Sequence, residues 1–215
     1  GLSYTNASVA GYDCAAKEYV GTEDTTKPVV LLIHGNSDTP SSWEAYDSAG
    51  ACEAGATEGD DMLAEELAAE GYRVLAVDMR YDLVDFPAGN NATENAAKNM
   101  DHGWGVPIAQ SFVQAVLEQY PDRQVSIIGF SFGVTVARDL VRRLAINEEV
   151  DIFPRIDDMI LLAGANHGVS SGPLCGVNPT MRGEVTCEMG DRAAYSPTEF
   201  MIPLNGPEGI YETPC

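Results

Sequence analysis

Basic residues are scarce in this chain: 12 lysines and arginines face 33 aspartates and glutamates, a net charge of -21 over 215 residues. Lysine is down to Lys17, Lys27 and Lys98. Such a surface repels polyanions, which excludes DNA, RNA and anionic membrane surfaces as partners. Long hydrophobic runs are also missing, so no stretch reads as a transmembrane segment. The first residues, Gly1-Leu2-Ser3-Tyr4, lack the basic-then-apolar pattern of a signal peptide, and the expectation is a mature or engineered terminus. No CxxC pair occurs and no histidine lies close in sequence to a cysteine, which argues against a metal site. Histidine itself is limited to His34, His102 and His167.

The acidity is read as that of a secreted protein kept soluble by charge, in preference to adaptation to a salt-rich habitat. Hydrophobic residues make up 45% of the chain, enough for one domain, residues 1–215, with a full core. Five cysteines are present. Cys175 and Cys187 bracket a Gly/Pro/Asn-rich segment as a local disulfide, and Cys14 with Cys52 would staple the segments flanking the first core strand. Two bridges imply an oxidising, extracellular location. Cys215 is left over, its partner expected outside these residues or in a second chain. The sequons at Asn6 and Asn91 decide nothing, since such triplets arise by chance.

Strand-like and helix-like segments alternate. Leu2 to Val20 has room for one or two antiparallel edge strands. Pro28 to Ile33 is a continuous β-branched apolar run, the pattern of a strand buried on both faces of a parallel sheet. Trp43 is expected to open a short helical piece, followed by a surface insertion over residues 46–59. A helix is expected over 62–69, with Leu63 and Leu67 on one face and Gly71 beyond its end. Further strands are expected at 73–78, 125–128 and, buried, at 159–163, and helices at 108–117 and 134–144. Residues 81–105 read as a polar loop with a partly helical middle. The alternation predicts an α/β fold with a mainly parallel sheet and helices on both faces.

In such sheets the ligand site lies beyond the carboxyl ends of the strands. Those ends carry His34-Gly35-Asn36, Asp78, Gly129-Phe130-Ser131-Phe132-Gly133 and Asn166-His167. A serine flanked by glycines two residues away on each side, at a switch from strand to helix period, reads as a nucleophile elbow. The backbone N–H groups of Asn36 and Phe132 would then form an oxyanion hole, each donor contributing about 3 kcal/mol to the transition state. Trp43, Phe130 and Phe132 are candidate walls of an acyl pocket, against the simpler reading that they pack in the interior.

Together with Gly71 to Asp78 and Ala163 to Gly168, these motifs resemble, in order, the α/β-hydrolase fold. More narrowly, they resemble secreted class 2 lipases and small bacterial triacylglycerol lipases, from about Lys27 onward. The resemblance implies ester or lipid hydrolysis through an acyl-serine on Ser131, chemistry that needs no metal or organic cofactor. It also implies a triad completed by an acid and then a histidine, both late in the chain. Neither has a match up to Cys215, so a C-terminal fragment or a second chain is expected to supply them. Within the chain His167 is a substitute base and Asp78 a substitute acid, against readings as a pocket-floor motif and a loop support. His34 is expected to position the oxyanion loop, and His102 to be a solvated loop residue. Residues 170–197 are placed as a disulfide-stapled rim or lid. Two rival functions stand beside the lipase reading: a polyester depolymerase of the same fold, cutin-like or for polyhydroxyalkanoate, and a non-catalytic binding protein.

Overall fold

The computed structural model describes residues 3–9, 12–35, 38, 40–44, 63–78, 106–146, 151–164, 166, 169–170, 190–191 and 204. An N-terminal hairpin, β1 (Ser3–Val9) and β2 (Tyr12–Val20), fulfils the expectation of antiparallel strands at the start of the chain. Then follow β3 (Val29–Ile33), α1 (Leu63–Ala69), β4 (Arg73–Val77), α2 (Val106–Gln119), β5 (Val125–Phe130), α3 (Phe132–Ile146) and β6 (Ile156–Leu162). The six strands form one sheet in the order β1-β2-β4-β3-β5-β6, with β4, β3, β5 and β6 parallel and β2 antiparallel to both of its neighbours, β1 and β4. Two-residue strands β7 (Val169–Ser170) and β8 (Gly190–Asp191) pair separately.

Strand β3 lies between β4 and β5, and all five of its side chains are buried, which is why its sequence shows no polar alternation. Val29, Leu31 and Ile33 face α2 and α3, where Phe112, Val116, Val136 and Leu140 close the larger core. Val30 and Leu32 face the other way, against Trp43, Tyr19 and the alanines of α1. Each fully buried aliphatic side chain of this kind contributes about 1.5–3 kcal/mol.

Three expectations need correction. Helix α1 turns Ala64 and Ala68 to the sheet, while Leu63 is exposed and Leu67 only packs beside them; the small side chains let the helix lie close to β4. Trp43 ends a 3-10 turn, Pro40–Trp43, and does not open a helix, because its indole is drawn into the core against β3 and β4. Strand β6 is not buried on both faces. Met159 and Leu161 pack on the α2/α3 side, but Ile160 is 44% and Leu162 38% exposed, since no described helix covers their side of the sheet there.

At the end of the sheet opposite the parallel strands' carboxyl ends, Glu23 receives two hydrogen bonds from Arg73, at 2.9 and 2.7 Å, and another from Arg123. Arg73 also pairs with Glu18, and both guanidinium groups lie over the ring of Tyr120. The hydrogen bonds from Arg73 are the main reason the Glu23 carboxyl is held down at about 2. Among the described residues no helix is long and apolar enough to cross a membrane.

Candidate active site

Strand β5 ends at Phe130 and α3 begins at Phe132, leaving Ser131 as the single residue in which the chain reverses. Its φ is +53°, the left-handed region that costs a non-glycine residue on the order of 1–3 kcal/mol. Two contacts hold it there: its N–H donates to the Leu162 carbonyl oxygen at 2.8 Å, and its own carbonyl accepts from the Val134 N–H at 3.1 Å. A turn this tight needs small neighbours. A Cβ on Gly133 would lie 2.1 Å from the carbonyl oxygen of Ile33, and one on Gly129 would lie 2.6 Å from that of Gly133, so both glycines follow from backbone packed on backbone. The sequence reading of an elbow therefore has its geometry. Ser131 is partly accessible, whereas Phe132 is buried in the larger core, in line with the simpler reading that it packs in the interior.

The loop after β3 comes directly to Ser131. A Cβ built on Gly35 would sit 3.3 Å from the Cβ of Ser131 and 3.3 Å from the Phe130 ring, so the bare backbone of Gly35 faces the serine. The ring of Phe130, 40% exposed, meets that of Trp43 edge-on, with centroids 6.4 Å apart and planes at 82°. Asn36, the expected second oxyanion donor, lies outside the described residues, as do His102, His167 and residues 171–189 and 192–197 of the expected rim. Phe132, the other expected donor, is the first residue of α3, where helix N–H groups point outward along the axis.

His34 and Asp78 end neighbouring parallel strands that are in register at Ile33 and Val77. Both are buried, and His34 Nε2 lies 3.9 Å from Asp78 Oδ1. The other nitrogen, Nδ1, donates to the Gly35 carbonyl at 2.8 Å. This histidine therefore holds the loop after β3, as expected, and Asp78 backs it. After β6, Ala163 adopts a second left-handed conformation, φ +51°, beside that of Ser131. On α3, Arg138 donates to the carbonyl oxygens of Asn166, at 2.9 Å, and Leu204, at 3.0 Å. The sequence reading passed over Arg138, because a lone arginine within a helix has no motif around it. Of the cysteines, Cys14 falls in β2, and Cys52, Cys175, Cys187 and Cys215 lie outside the described residues, so both disulfides remain expectations.

Residues 26–208 match the family described as lipase (class 2). A search of curated proteins finds no match. Among solved structures, the chain is similar to 2-hydroxy-6-oxo-6-phenylhexa-2,4-dienoate hydrolase from Rhodococcus sp. strain RHA1, at 14% identity and TM-score 0.47, covering 81% of this chain and 52% of that one. A serine hydrolase from Cycloclasticus zankles gives 16% and 0.47, with 83% and 51% covered. A thermostable carboxyl esterase from Bacillus coagulans gives 13% and 0.40, with 82% and 47% covered. The chain thus spans about half the length of these structures. With a mostly parallel sheet, an elbow serine after β5 and a family match over most of its length, the chain belongs to the class 2 lipase family and has the α/β-hydrolase fold.

Proposed function

We propose that this protein is a secreted serine hydrolase that cleaves carboxylic esters of apolar acyl groups, with Ser131 as nucleophile. The observation that carries the proposal is the left-handed Ser131 at the head of α3 with the backbone of Gly35 against it. In this reading Ser131 Oγ attacks the ester carbonyl and passes its proton to a base. The N–H groups of Asn36 and Phe132 receive the charge that develops on the carbonyl oxygen. The alcohol leaves with a proton, and water then attacks the acyl-serine to release the acid and restore Ser131.

His34 is a poor base for this reaction, because its two nitrogens face Gly35 and Asp78. We assign the base and its acid partner to a further polypeptide segment or a second chain, with His167 as the substitute base within these residues. Asp78 is the weaker substitute acid, being turned toward His34. The expected bridges Cys14–Cys52 and Cys175–Cys187 support an extracellular setting. The exposure of Phe130 beside the nucleophile favours a second reading, in which the site is open enough for a polyester chain.

The test is labelling by a fluorophosphonate, with turnover of a short-chain ester, emulsified triglyceride and polyester film compared side by side. Labelling that disappears in Ser131→Ala, with triglyceride preferred over film, is the expected result. Film preferred over triglyceride selects the depolymerase, and a demonstrably full-length protein that neither labels nor turns over ester is a non-catalytic member of the fold.

A further inference from the structure

Lys17 is one of three lysines in the chain, and it is buried. It sits on β2 with Tyr19, two residues on and hence on the same face of the sheet, the side that carries Trp43. Both side chains converge on Glu44, the residue that follows the 3-10 turn Pro40–Trp43. Lys17 Nζ lies 3.2 Å from Glu44 Oε1 and 3.5 Å from Oε2, and the Tyr19 hydroxyl donates to Oε1. The side chains of Lys17 and Glu44 are 4% and 1% exposed, so water screens little of this pair, and removal of either partner would leave a buried charge uncompensated.

We infer that Glu44, gripped by Lys17 and Tyr19, is a positioning residue for the loop that faces the nucleophile; this rests on the proposed role of Ser131 and of the loop after β3. The loop starts at His34 and ends at Glu44. Its near end is fixed by β3 and by the Gly35 carbonyl, which accepts from His34 Nδ1 at 2.8 Å and from the Asp38 N–H at 3.4 Å. Its far end is tied to the hairpin by the grip of Lys17 and Tyr19 on Glu44. Between these anchors Trp43 presses edge-on against Phe130, the residue before Ser131, and Phe130 in turn touches the space over Gly35. Glu44 touches no substrate. It acts by fixing how closely the loop approaches the serine, and displacements of an ångström at such a distance cost rate more than they cost binding.

The experiment measures kcat and KM for p-nitrophenyl butyrate, and amide hydrogen exchange over residues 35–43, in the wild type, Tyr19→Phe and Lys17→Met/Glu44→Gln. The double substitution removes both charges together and so avoids stranding one of them. We expect kcat to fall by about tenfold in the double variant and by a smaller factor in Tyr19→Phe, with KM within about twofold of wild type and faster exchange in the loop. If the double variant does not fold, Tyr19→Phe, which loses only a hydroxyl, decides alone. An unchanged kcat, or a rise in KM at constant kcat, overturns the positioning role while leaving the esterase reading intact. A demonstrably full-length wild type that shows neither turnover nor fluorophosphonate labelling overturns the esterase reading, and the positioning role with it.

Discussion

The N–H of Ser131 donates to the carbonyl oxygen of Leu162 at 2.8 Å, which fastens the left-handed turn at Ser131 to β6. The turn is thus held from outside its own loop, and the strain at φ +53° is offset by the sheet. A glycine would adopt the same conformation without strain. Ser131→Gly should therefore raise the unfolding free energy by about 1 kcal/mol while abolishing fluorophosphonate labelling. Urea titration beside labelling checks this; a variant less stable than wild type would show that Ser131 is not strained.

Gly133 and Gly35 should respond differently to the same substitution. At Gly133 an added Cβ meets the Ile33 carbonyl at 2.1 Å with backbone on both sides, so Gly133→Ala should cost about 3 kcal/mol or more and yield little soluble protein. At Gly35 the added Cβ meets side-chain carbons at 3.3 Å, which can yield by a few tenths of an ångström. Gly35→Ala should remain folded, cost about 1 kcal/mol or less, and lower kcat at least tenfold, because the methyl crowds Ser131. Expression yield, thermal melting and ester turnover of the two variants separate these outcomes.

His34 and Asp78 provide a test of whether the chain contains its own base. If they only hold the loop, Asp78→Asn should leave fluorophosphonate labelling within about tenfold of wild type and lower stability by about 1–3 kcal/mol, the cost of disturbing a buried polar pair. If His34 were the base and Asp78 its acid, labelling would fall by about four orders of magnitude, as when a triad acid is replaced by its amide.

Stability in acid should depend on Glu23. Its carboxyl is held at about 2 against an ordinary 4.5, mainly by the hydrogen bonds from Arg73. A group with a depressed folded pKa stabilises the fold fully above its unfolded value, and that stability is lost as pH falls toward the folded one. The window is therefore pH 4.5 down to 2, and the contribution, after solvent screening, is about 1–2 kcal/mol. Glu23→Gln should lower stability at pH 7 and flatten its decline between those values, as read by denaturant midpoints across the range.

Much of the fold is legible in the sequence wherever burial is local. The run Pro28 to Ile33 reads as a two-sided strand because both of its faces are covered, one by α2 and α3 and the other by Trp43 and α1, so no polar residue interrupts it. The elbow is legible because a Cβ at 133 would lie 2.1 Å from a backbone oxygen, so only glycine fits there, a constraint written into a five-residue pattern. Strand β6 is misjudged as fully buried because an apolar run does not reveal whether a helix covers each of its faces. The grip on Glu44 is illegible for another reason: Lys17 and Glu44 are 27 residues apart, and nothing in either neighbourhood marks the partner. Leu63 misleads because spacing selects a face of α1 but not the one whose side chains are small enough to approach the sheet.

On β6, Ile160 and Leu162 leave apolar surface half-exposed on one face of the sheet. Such apolar surface is what a second copy can pack against. What opposes that encounter is the mutual repulsion of copies that each carry a charge of -21. Salt shortens the reach of this repulsion to about 8–10 Å near physiological strength and to about 3 Å at 1 M. For this chain a concentrated brine would thus act as an aggregant, and dilute neutral buffer as the medium that keeps molecules apart.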